Sequence, residues 1–453
     1  MVHGWKFIRK FITHKIMTTK KETVKVGLVG FGTIGTGVAK LLLNEKKLMA
    51  QRSGVDLVLA RIADLDTTRD RGVPKAMKIL TNSADDIIND PEISIVVELV
   101  GGTTYAKTLV EKALNAHKNV VTANKALLAT YGKELFDLAR ANGCTIAFEA
   151  AVAGGIPIIA GIGQSLQANN IQSIRAILNG TSNFILSTME ETGADYDSTV
   201  KEAQRLGYAE ANPALDVNGS DAAQKLAILA HLSFGAVVNW KDIPRVGIDV
   251  VQSVDMYFAK QLGYKIRLLG VANNTKSGLE LSVSPTLVKQ GTNLSNVSGA
   301  FNAVRVVGDA VGNVFFYGKG AGELPTASAV VADILDTAIG RTAITFKTLN
   351  LWGDDRPAAP LRNPDDVEGR YYLRMDVADA TGVMAQIADI LATSSISIAS
   401  LLQYGNGNGK SNGTVPMIIM THGTNEGAVN QAIEKIKALK CVKGAPVKLR
   451  ILD

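Results

Sequence analysis

Cysteine and histidine are scarce in this chain of 453 residues, which holds two cysteines and five histidines. Cys144 and Cys441 lie far apart, no Cys-x-x-Cys pair occurs and the histidines are scattered, so neither a disulfide framework nor a zinc site is predicted. The chain has no apolar run of about 18 residues that could span a bilayer. Although its net charge is +6, it has no basic tract with interleaved aromatic residues. We expect a cytoplasmic protein in a reducing compartment, without a membrane or nucleic-acid partner.

The first 16 residues, MVHGWKFIRKFITHKI, mix basic and apolar side chains without a continuous apolar stretch. This pattern is typical of neither a secretory signal peptide nor a membrane span. Two interpretations stay open: an amphipathic targeting arm, or an upstream start codon with Met17 as the natural beginning. We expect residues 1–21 to form a disordered arm.

Glycine, by contrast, is abundant with 43 residues, and its most informative cluster is GFGTIG at 30–35. This cluster follows a β-prone apolar stretch and precedes apolar residues at helical spacing. Gly30 permits a tight turn, Gly32 lets a pyrophosphate approach the backbone, and Gly35 lets helix and strand pack closely. The helix start offers free N–H groups to phosphates. A dinucleotide site is the favoured interpretation, and a plain βα turn is the alternative.

Residues 22–150 alternate strand and helix, with strands predicted at 24–29, 57–63, 93–100, 119–122 and 144–148. This alternation predicts an α/β domain with a doubly wound parallel nucleotide-binding sheet, the Rossmann arrangement. Ligands bind at the carboxyl ends of such strands. The glycine turn, Asp64, Thr103, Lys125 and Glu149 all follow predicted strands, so five features converge on one edge of the sheet.

The residues after the second predicted strand bear on the choice of cofactor. A carboxylate there accepts a hydrogen bond from the ribose 2′-hydroxyl of NAD, whereas an arginine favours the 2′-phosphate of NADP. Asp64 and Asp66 occur together with Arg61, Arg69 and Arg71. Both cofactors therefore stay open.

From residue 151 the pattern changes, and stretches at 265–272, 279–288, 303–308 and 313–317 alternate polar and apolar residues. They predict an α+β catalytic and dimerisation domain at 151–326, with a mixed sheet open on one face to solvent or a partner. Residues 327–349 are predicted to form a helix that returns to the nucleotide-binding domain. Residues 350–368 contain three prolines and are predicted to be a linker.

Residues 369–453 have the predicted element order βαββαβ, which is the ferredoxin-like arrangement. A polar hairpin loop is predicted at 405–413, between the two middle strands. Two interpretations of this unit stay open: dimerisation without a ligand, or an effector site that shifts a two-state equilibrium.

The helix predicted around Lys225 carries the sharpest indication of catalysis. Asp221 and Lys225 are four residues apart on one face, and Ser220 is placed to cap the helix. The same face continues with Ile228 and Leu232, so Lys225 lies on the stripe predicted to be buried. It is either part of a surface ion pair or a buried lysine able to act as an acid or base.

Glu210 and Lys125 each have two interpretations. Glu210 is either a solvated loop carboxylate or a ligand for a substrate ammonium group. Lys125 is either an ordinary lysine at a helix start or a cation aimed into the cleft, and its position at a strand end favours the second. Two carboxylates, Glu210 and Asp221, suit an amino-acid substrate.

Several motifs, in their order along the chain, resemble those of the homoserine dehydrogenase family. They are GFGTIGTGV at 30–38, ELVGG at 98–102, VTANKAL at 121–127, FEAAVAGGIP at 148–157, LNGTSNF at 178–184, GYAEANP at 207–213, DAAQKLA at 221–227 and GAGELPT at 320–326. The C-terminal unit, with DATGV at 379–383, resembles the ACT domain that many bacterial members append. The resemblance spans about residues 22–453 and is closest to the monofunctional type.

The resemblance implies NAD(P)-dependent interconversion of L-aspartate 4-semialdehyde and L-homoserine, in the biosynthesis of threonine, methionine and isoleucine. It implies that Lys225 gives a proton to the aldehyde oxygen and that Lys125 contacts cofactor and substrate. Glu210 and Asp221 are expected to hold homoserine. The expected cofactor contacts are Gly30, Gly32, Thr33, Ile34, Gly35, Asp64, Thr103, Lys125, Gly322 and Glu323. A sodium ion is implied at the carbonyl oxygens of Glu149, Val152, Gly154 and Ile156.

In the expected mechanism, the carbonyl oxygen of the aldehyde gains negative charge, so a cation placed near it stabilises the transition state. We expect Lys225 to be charged, because Asp221 opposes the effect of burial on its pKa. Threonine is the expected effector, and a homodimer or homotetramer the expected assembly. The alternatives are a non-catalytic sensor of NAD(P) and an amino acid, or a related amino-aldehyde reductase, since a fold does not fix a substrate.

Overall fold

The computed structural model describes residues 22–353, 360–403 and 413–452. The predicted arm at 1–21, residues 354–359 of the predicted linker, and all but the last residue of the predicted loop at 405–413 lie outside the described residues. In the described parts of the chain, no helix has the length and apolar character needed to cross a membrane.

The first sheet is parallel, and its strand order is β3-β2-β1-β4-β5-β6. Its strands are β1 (Thr23–Val29), β2 (Asp56–Ala63), β3 (Leu80–Thr81), β4 (Ile93–Glu98), β5 (Asn119–Thr122) and β6 (Ile146–Ala147). The predicted parallel sheet is confirmed. The prediction missed the two-residue β3 and made β6 too long, because strands this short carry too few residues for a periodic pattern.

Sixteen α-helices accompany the two sheets in the described parts of the chain. They are α1 (Thr33–Asn44), α2 (Lys46–Ser53), α3 (Pro74–Met77), α4 (Asp85–Ile88), α5 (Thr104–Asn115), α6 (Lys125–Ala141), α7 (Ile158–Ala160), α8 (Gly180–Thr192), α9 (Tyr196–Arg205), α10 (Ala214–Val217), α11 (Ser220–Phe234), α12 (Ser253–Gln261), α13 (Glu323–Ala338), α14 (Arg341–Leu349), α15 (Val383–Thr393) and α16 (Glu426–Lys437). The return toward the first sheet is made by two helices, α13 and α14, where one was predicted. At the contact of α13 with α1, a Cβ at Gly37 would lie 2.8 Å from the carbonyl oxygen of Glu323.

The second sheet is mixed and has ten strands, with β11-β10-β7-β8-β9-β16-β12-β14-β13 in order and β15 paired to β12. The strands are β7 (Ile171–Ile177), β8 (Tyr264–Thr275), β9 (Gly278–Lys289), β10 (Phe301–Gly308), β11 (Gly312–Lys319), β12 (Glu368–Ala378), β13 (Ile398–Gln403), β14 (Thr414–Thr421), β15 (Thr424–Asn425) and β16 (Val442–Leu452). The separate mixed sheet predicted from the alternation of polar and apolar residues is confirmed.

One sheet therefore runs through two regions that the sequence pattern treats as separate. The last strand, β16, pairs in parallel with β9, with Arg450 opposite Thr286 and Leu452 opposite Val288. Arg450 also donates to Glu280 Oε1 at 2.8 Å, across the same junction. The C-terminal strands, α15 and α16 bury an apolar cluster of their own, which includes Leu373.

Candidate active site

The glycine turn after β1 leaves the start of α1 open. Gly30 has a left-handed backbone with φ of +99°, and a Cβ at Gly35 would overlap with the carbonyl oxygen of Gly30. A Cβ at Gly32 would meet no described atom within 4 Å. Gly32 and Thr33 are exposed, and no described side chain caps the helix there. The first N–H groups of α1 can therefore bind an anion such as a pyrophosphate.

The carboxylate of Asp64, at the end of β2, lies beside this turn. Its Oδ2 accepts from the Phe31 backbone N–H at 2.6 Å, and its Oδ1 accepts from the Asp66 N–H at 2.9 Å and from Arg71 Nη2 at 3.2 Å. Arg71 also donates to the carbonyl oxygens of Phe31, Arg69 and Asp66. The guanidinium is thus bound within the protein, and Asp64 is the acidic group at the strand end where such folds bind a ribose 2′-hydroxyl.

A cleft with a volume of about 570 Å³ lies at the carboxyl ends of β4 and β5, between the parallel sheet and the segment around α10. The cleft brings together four residues predicted from the sequence. They are Ile34, Lys125, Glu210 and Asp221. Leu215 and Asp216 line the same wall as Glu210.

Lys125 is held at the cleft by the start of α6. Its neighbour Asn124 caps this helix by accepting from the Leu127 N–H at 3.0 Å. The Asn124 Nδ2 donates to the carbonyl oxygen of Gly102 at 2.7 Å. The buried carboxylate of Glu98 accepts from the Val100 N–H at 2.9 Å, which fixes the neighbouring strand end. Lys125 is consequently the first helical residue at the edge shared by both strands.

Inside the cleft wall, the carboxylate of Asp221 lies between two ammonium groups. Lys125 Nζ is 3.1 Å from Oδ1, and Lys225 Nζ is 2.7 Å from Oδ2. The side chain of Lys125 is 36% exposed, whereas those of Lys225 and Asp221 are 11% and 7% exposed. Lys225 Nζ also donates to the carbonyl oxygen of Leu178 at 2.7 Å. These two acceptors take two of the three N–H donors of the Lys225 ammonium group.

Burial and charge act in opposite directions on the pKa values of this cluster. For Asp221, burial disfavours the charged form, but Lys225 and Lys125 outweigh it and hold the pKa well below its usual range. For Lys225, burial lowers the pKa and Lys125 adds to this effect. The expected upward pull of Asp221 on Lys225 is present but does not outweigh burial. Asp221 raises the pKa of Lys125, against burial.

The helix α11 buries Lys225 because protein surrounds it on every side. All residues from Ser220 to Leu232 are buried, as in a helix inside a core rather than on a surface. The residue before the helix is Gly219, with φ of +80°, and the Asn218 side chain accepts from the Ser220 N–H at 2.9 Å. The prediction that Ser220 caps this helix is wrong, because Ser220 is already helical.

Two polar neighbours of this cluster were not predicted from the sequence. Asn179 Nδ2 donates to Asp221 Oδ2 at 2.8 Å and to Asp216 Oδ1 at 2.7 Å. Burial raises the pKa of Asp216, and Asp221 adds to this effect. Asn179 and Asp216 both lie in polar stretches of the sequence. No spacing pattern distinguishes these two residues from the other polar residues around them.

The turn after β6 contains the four expected sodium ligands, and all four residues are buried. Gly154 has a left-handed backbone with φ of +53°. The carbonyl oxygens of Val152 and Gly154 accept no hydrogen bond from the described residues, whereas that of Glu149 accepts at 3.4 Å and that of Ile156 at 2.8 Å. Buried carbonyl oxygens without donors suit a hard cation.

The remaining expected cofactor contacts lie at the same edge of the sheet. Thr103 precedes α5, next to Gly102 of the cleft. Gly322 precedes α13, and the carboxylate of Glu323 accepts from Lys40 Nζ on α1 at 2.7 Å. Glu323 therefore connects the turn at residues 320–322, the second glycine turn, to α1 through its carboxylate.

Two family models match residues between 30 and 335, and a relative matches nearly the whole chain. A model described as the homoserine dehydrogenase NAD binding domain matches residues 30–149, and a model described as homoserine dehydrogenase matches residues 157–335. Homoserine dehydrogenase of Pseudomonas aeruginosa is 44% identical, and the match covers 95% of this chain and 99% of the relative.

Solved structures match as well. The crystal structure of a homoserine dehydrogenase from Thiobacillus denitrificans is 42% identical with a TM-score of 0.88, over 95% of this chain and 99% of that one. A hyperthermophilic archaeal homoserine dehydrogenase in complex with NADPH is 28% identical with a TM-score of 0.57. That match covers 98% of the archaeal chain but 70% of this one.

Proposed function

The chain belongs to the homoserine dehydrogenase family, and from this membership we propose how its cleft carries out the reaction. The enzyme interconverts L-aspartate 4-semialdehyde and L-homoserine with NAD(P). We propose that Lys225 is the proton donor and that Lys125 contacts cofactor and substrate. Glu210 and Asp221 hold the substrate ammonium group. The observation that carries this proposal is the buried Asp221 carboxylate between two ammonium groups at the cleft.

During reduction of the aldehyde, negative charge develops on the carbonyl oxygen. The nicotinamide cofactor supplies the hydride when it is bound. The Lys225 ammonium group stabilises the developing charge and gives its third proton to the oxygen. Its lowered pKa makes this proton easier to transfer than that of a free lysine. In the oxidative direction, neutral Lys225 accepts the proton of the homoserine hydroxyl group.

For the cofactor, we propose that the residues at the glycine turn and at the end of β2 favour NAD over NADP. The open start of α1 at Gly32 suits the pyrophosphate, and Ile34 lies in the cleft wall. The carboxylate of Asp64 suits a ribose 2′-hydroxyl and repels a 2′-phosphate. Arg71, the cation beside it, already donates to acceptors within the protein.

Initial rates of nicotinamide absorbance change with L-homoserine test the assignment, with NAD and NADP measured separately. Turnover that requires homoserine and is lost in Lys225→Ala supports the proposed roles. Cofactor binding without turnover in the wild-type enzyme would favour the sensor instead. Turnover with other amino aldehydes at higher kcat/KM would favour a related reductase.

We also propose a sodium ion at the turn formed by residues 149–156. The carbonyl oxygens of Val152 and Gly154, buried and without described donors, support it. Such an ion would hold the turn that joins the two sheets. Replacement of sodium by tetramethylammonium at constant ionic strength should lower the melting temperature. An unchanged melting temperature would contradict it.

For the domains, we propose the division predicted from the sequence, with residues 369–453 as an ACT-like, ferredoxin-like unit that binds threonine. The archaeal enzyme, matched over 98% of its length by 70% of this chain, supports an appended unit. The paired β9 and β16 support communication with the catalytic region, because their junction adjoins the start of α11. There, a Cβ at Gly219 would lie 3.1 Å from Val283 of β9.

Threonine titration of the initial rate tests this regulatory role in the full-length enzyme. Inhibition that saturates and that alters the intrinsic fluorescence of the protein supports an effector site. Inhibition that is competitive with homoserine and absent at saturating homoserine indicates binding at the active site instead.

We also propose a homodimer or homotetramer formed through the mixed sheet, which light scattering tests.

A further inference from the structure

The backbone carbonyl oxygen of Leu178 accepts hydrogen bonds from two buried side chains. Lys225 Nζ lies 2.7 Å from it, and Nδ2 of Asn302 on β10 lies 3.0 Å from it. Asn302 is 1% exposed and Leu178 is fully buried. The two lone pairs of one carbonyl group are thus shared between the proposed proton donor and an amide on a neighbouring strand.

The Asn302 amide is also packed against the second glycine turn. A Cβ at Gly320 would overlap with the amide atoms, and a Cβ at Gly180 would lie 3.5 Å from Oδ1. A Cβ at Gly154 would in turn overlap with the carbonyl oxygen of Gly320. Because backbone lies on both sides of it, the amide group is held in one place, with Nδ2 against Leu178.

An asparagine at position 302 is expected to lower the stability of the fold. Its Oδ1 is buried and accepts no hydrogen bond from the described residues. A buried polar atom without a partner destabilises a fold, and an apolar side chain of similar shape would avoid that effect. The feature that asparagine offers here, and an apolar residue does not, is the Nδ2 donor to the Leu178 carbonyl oxygen.

We propose that Asn302 is a positioning residue for Lys225 and acts through the Leu178 carbonyl group. This inference rests on the proposed role of Lys225 as proton donor. With one lone pair bound by Asn302, the carbonyl group offers the other to the ammonium group from a fixed direction. Together with Asp221 Oδ2, it sets the orientation of the ammonium group and of its third N–H.

Removal of the Nδ2 donor would change the carbonyl group in two ways. First, the Leu178 carbonyl group would be free to tilt, which moves the Lys225 ammonium group away from the substrate. Second, the carbonyl oxygen would become a stronger acceptor, which stabilises the charged form of Lys225 and raises its pKa. The charged groups that face Lys225 are Asp221 on α11, Asp216 on α10 and Lys125 on α6. In the described structure none of the three is hydrogen-bonded to Asn302, so their effects remain in its variants.

The test compares Asn302→Ala with Asn183→Ala in the full-length enzyme. Asn183 is buried in α8 and donates to the carbonyl oxygens of Val297, Gly299 and Phe301. Its removal loosens the same region without touching the Leu178 carbonyl group. The readouts are kcat for aldehyde reduction against pH, KM for the cofactor and the melting temperature.

We expect Asn302→Ala to lower kcat about tenfold, the effect of one hydrogen bond. The KM for the cofactor should stay within about twofold, since ground-state binding is not altered. The alkaline limb of the kcat profile should move up by about half a pH unit or more. Asn183→Ala should lower the melting temperature and leave this limb in place.

Asn302→Leu serves as a second variant where the alanine variant does not fold, because it keeps the approximate size of the side chain and adds no charge near Lys225. It cannot donate to Leu178 and should also move the limb upward. An unmoved limb in the folded Asn302 variants, or an equal shift in Asn183→Ala, overturns the positioning role. Failure of the proposed function is a separate outcome, in which Lys225→Ala keeps both turnover and the alkaline limb.

Discussion

The ammonium nitrogen of Lys225 lies 2.7 Å from Oδ2 of Asp221, one helical turn earlier on α11, and both side chains are buried. A buried pair of this kind keeps its charges only while each partner is present. Lys125, at 3.1 Å from the other oxygen of Asp221, adds a second positive charge at the cleft. One carboxylate therefore serves two cations, and changes at any of the three should affect the others.

Replacement of Lys225 by alanine should lower turnover by about 10²–10⁴-fold, the scale of a general acid. Cofactor binding, followed by nicotinamide fluorescence, should persist, because Lys225 Nζ bonds to Asp221 and Leu178 rather than to residues of the glycine turn. Lys265→Ala is a matched control, since Lys265 on β8 pairs with Glu190 of α8 at 2.9 Å and neither residue lines the cleft. Turnover of Lys225→Ala equal to that of Lys265→Ala would refute the catalytic role.

Asp221→Asn should shift the pH dependence of the reaction to lower pH. In the wild type, the negative charge of Asp221 opposes the lowering of the Lys225 pKa by burial. Loss of this charge should therefore lower the Lys225 pKa further, by about one to three units. Reduction requires protonated Lys225, and its rate falls as the pH rises through the pKa, so the alkaline limb should move down. Oxidation requires neutral Lys225, and its rate should rise at lower pH than in the wild type.

Glu202→Gln provides the control for this shift, because Glu202 pairs with Arg205 on an exposed helix face, with N···O of 2.7 Å. Its pH profiles in both directions should match those of the wild type. An upward movement of the limb in Asp221→Asn would contradict the electrostatic argument. A larger KM for homoserine is expected in the same variant, since Asp221 is also a proposed substrate ligand.

The sequence was sufficient to predict those parts of the site that depend on local pattern. The spacing of Asp221, Lys225, Ile228 and Leu232 predicted that Lys225 is buried, although α11 is buried on all sides rather than on one face. The order of strands placed Lys125 at the sheet edge where it lies. The turn at 30–35 could be predicted because the left-handed backbone of Gly30 and the close approach of Gly35 to the Gly30 carbonyl oxygen both lie within the turn itself.

The rest depends on contacts between residues far apart in the chain. Asn302 is 124 residues from the Leu178 carbonyl group that it binds, and no periodicity relates them. The hydrogen bonds of Arg71 to acceptors on two loops could not be predicted from the sequence either. The choice between NAD and NADP therefore stayed open. The shared sheet of β9 and β16 was missed because a two-fold alternation shows which residues form a strand but not which strand lies beside it.

The enzyme should use NAD with a higher kcat/KM than NADP, and Asp64→Asn should shift the ratio toward NADP by about tenfold or more. The variant loses the negative charge that repels a 2′-phosphate. It also weakens the hydrogen bond from Arg71 Nη2 to Oδ1 of residue 64, which is 3.2 Å long in the wild type. A hydrogen bond to a charged group contributes about 1.5–3 kcal/mol. Asp56→Asn, at the other end of β2 and paired with Lys46, should leave the ratio unchanged. Higher kcat/KM with NADP in the wild type would overturn the assignment.

Arg450→Met should destabilise the junction between the C-terminal unit and the catalytic region. Arg450 donates to Glu280 at 2.8 Å and to Glu426 at 2.7 Å, and its side chain is 15% exposed. Its loss leaves two carboxylates largely buried without this partner and should cost about 3 kcal/mol. The midpoint of urea unfolding should fall, and response to threonine should weaken if the junction transmits it. Arg205→Met, which breaks an exposed pair with Glu202, should leave both unchanged. Equal effects of the two substitutions would show that the junction contributes no more than a surface ion pair.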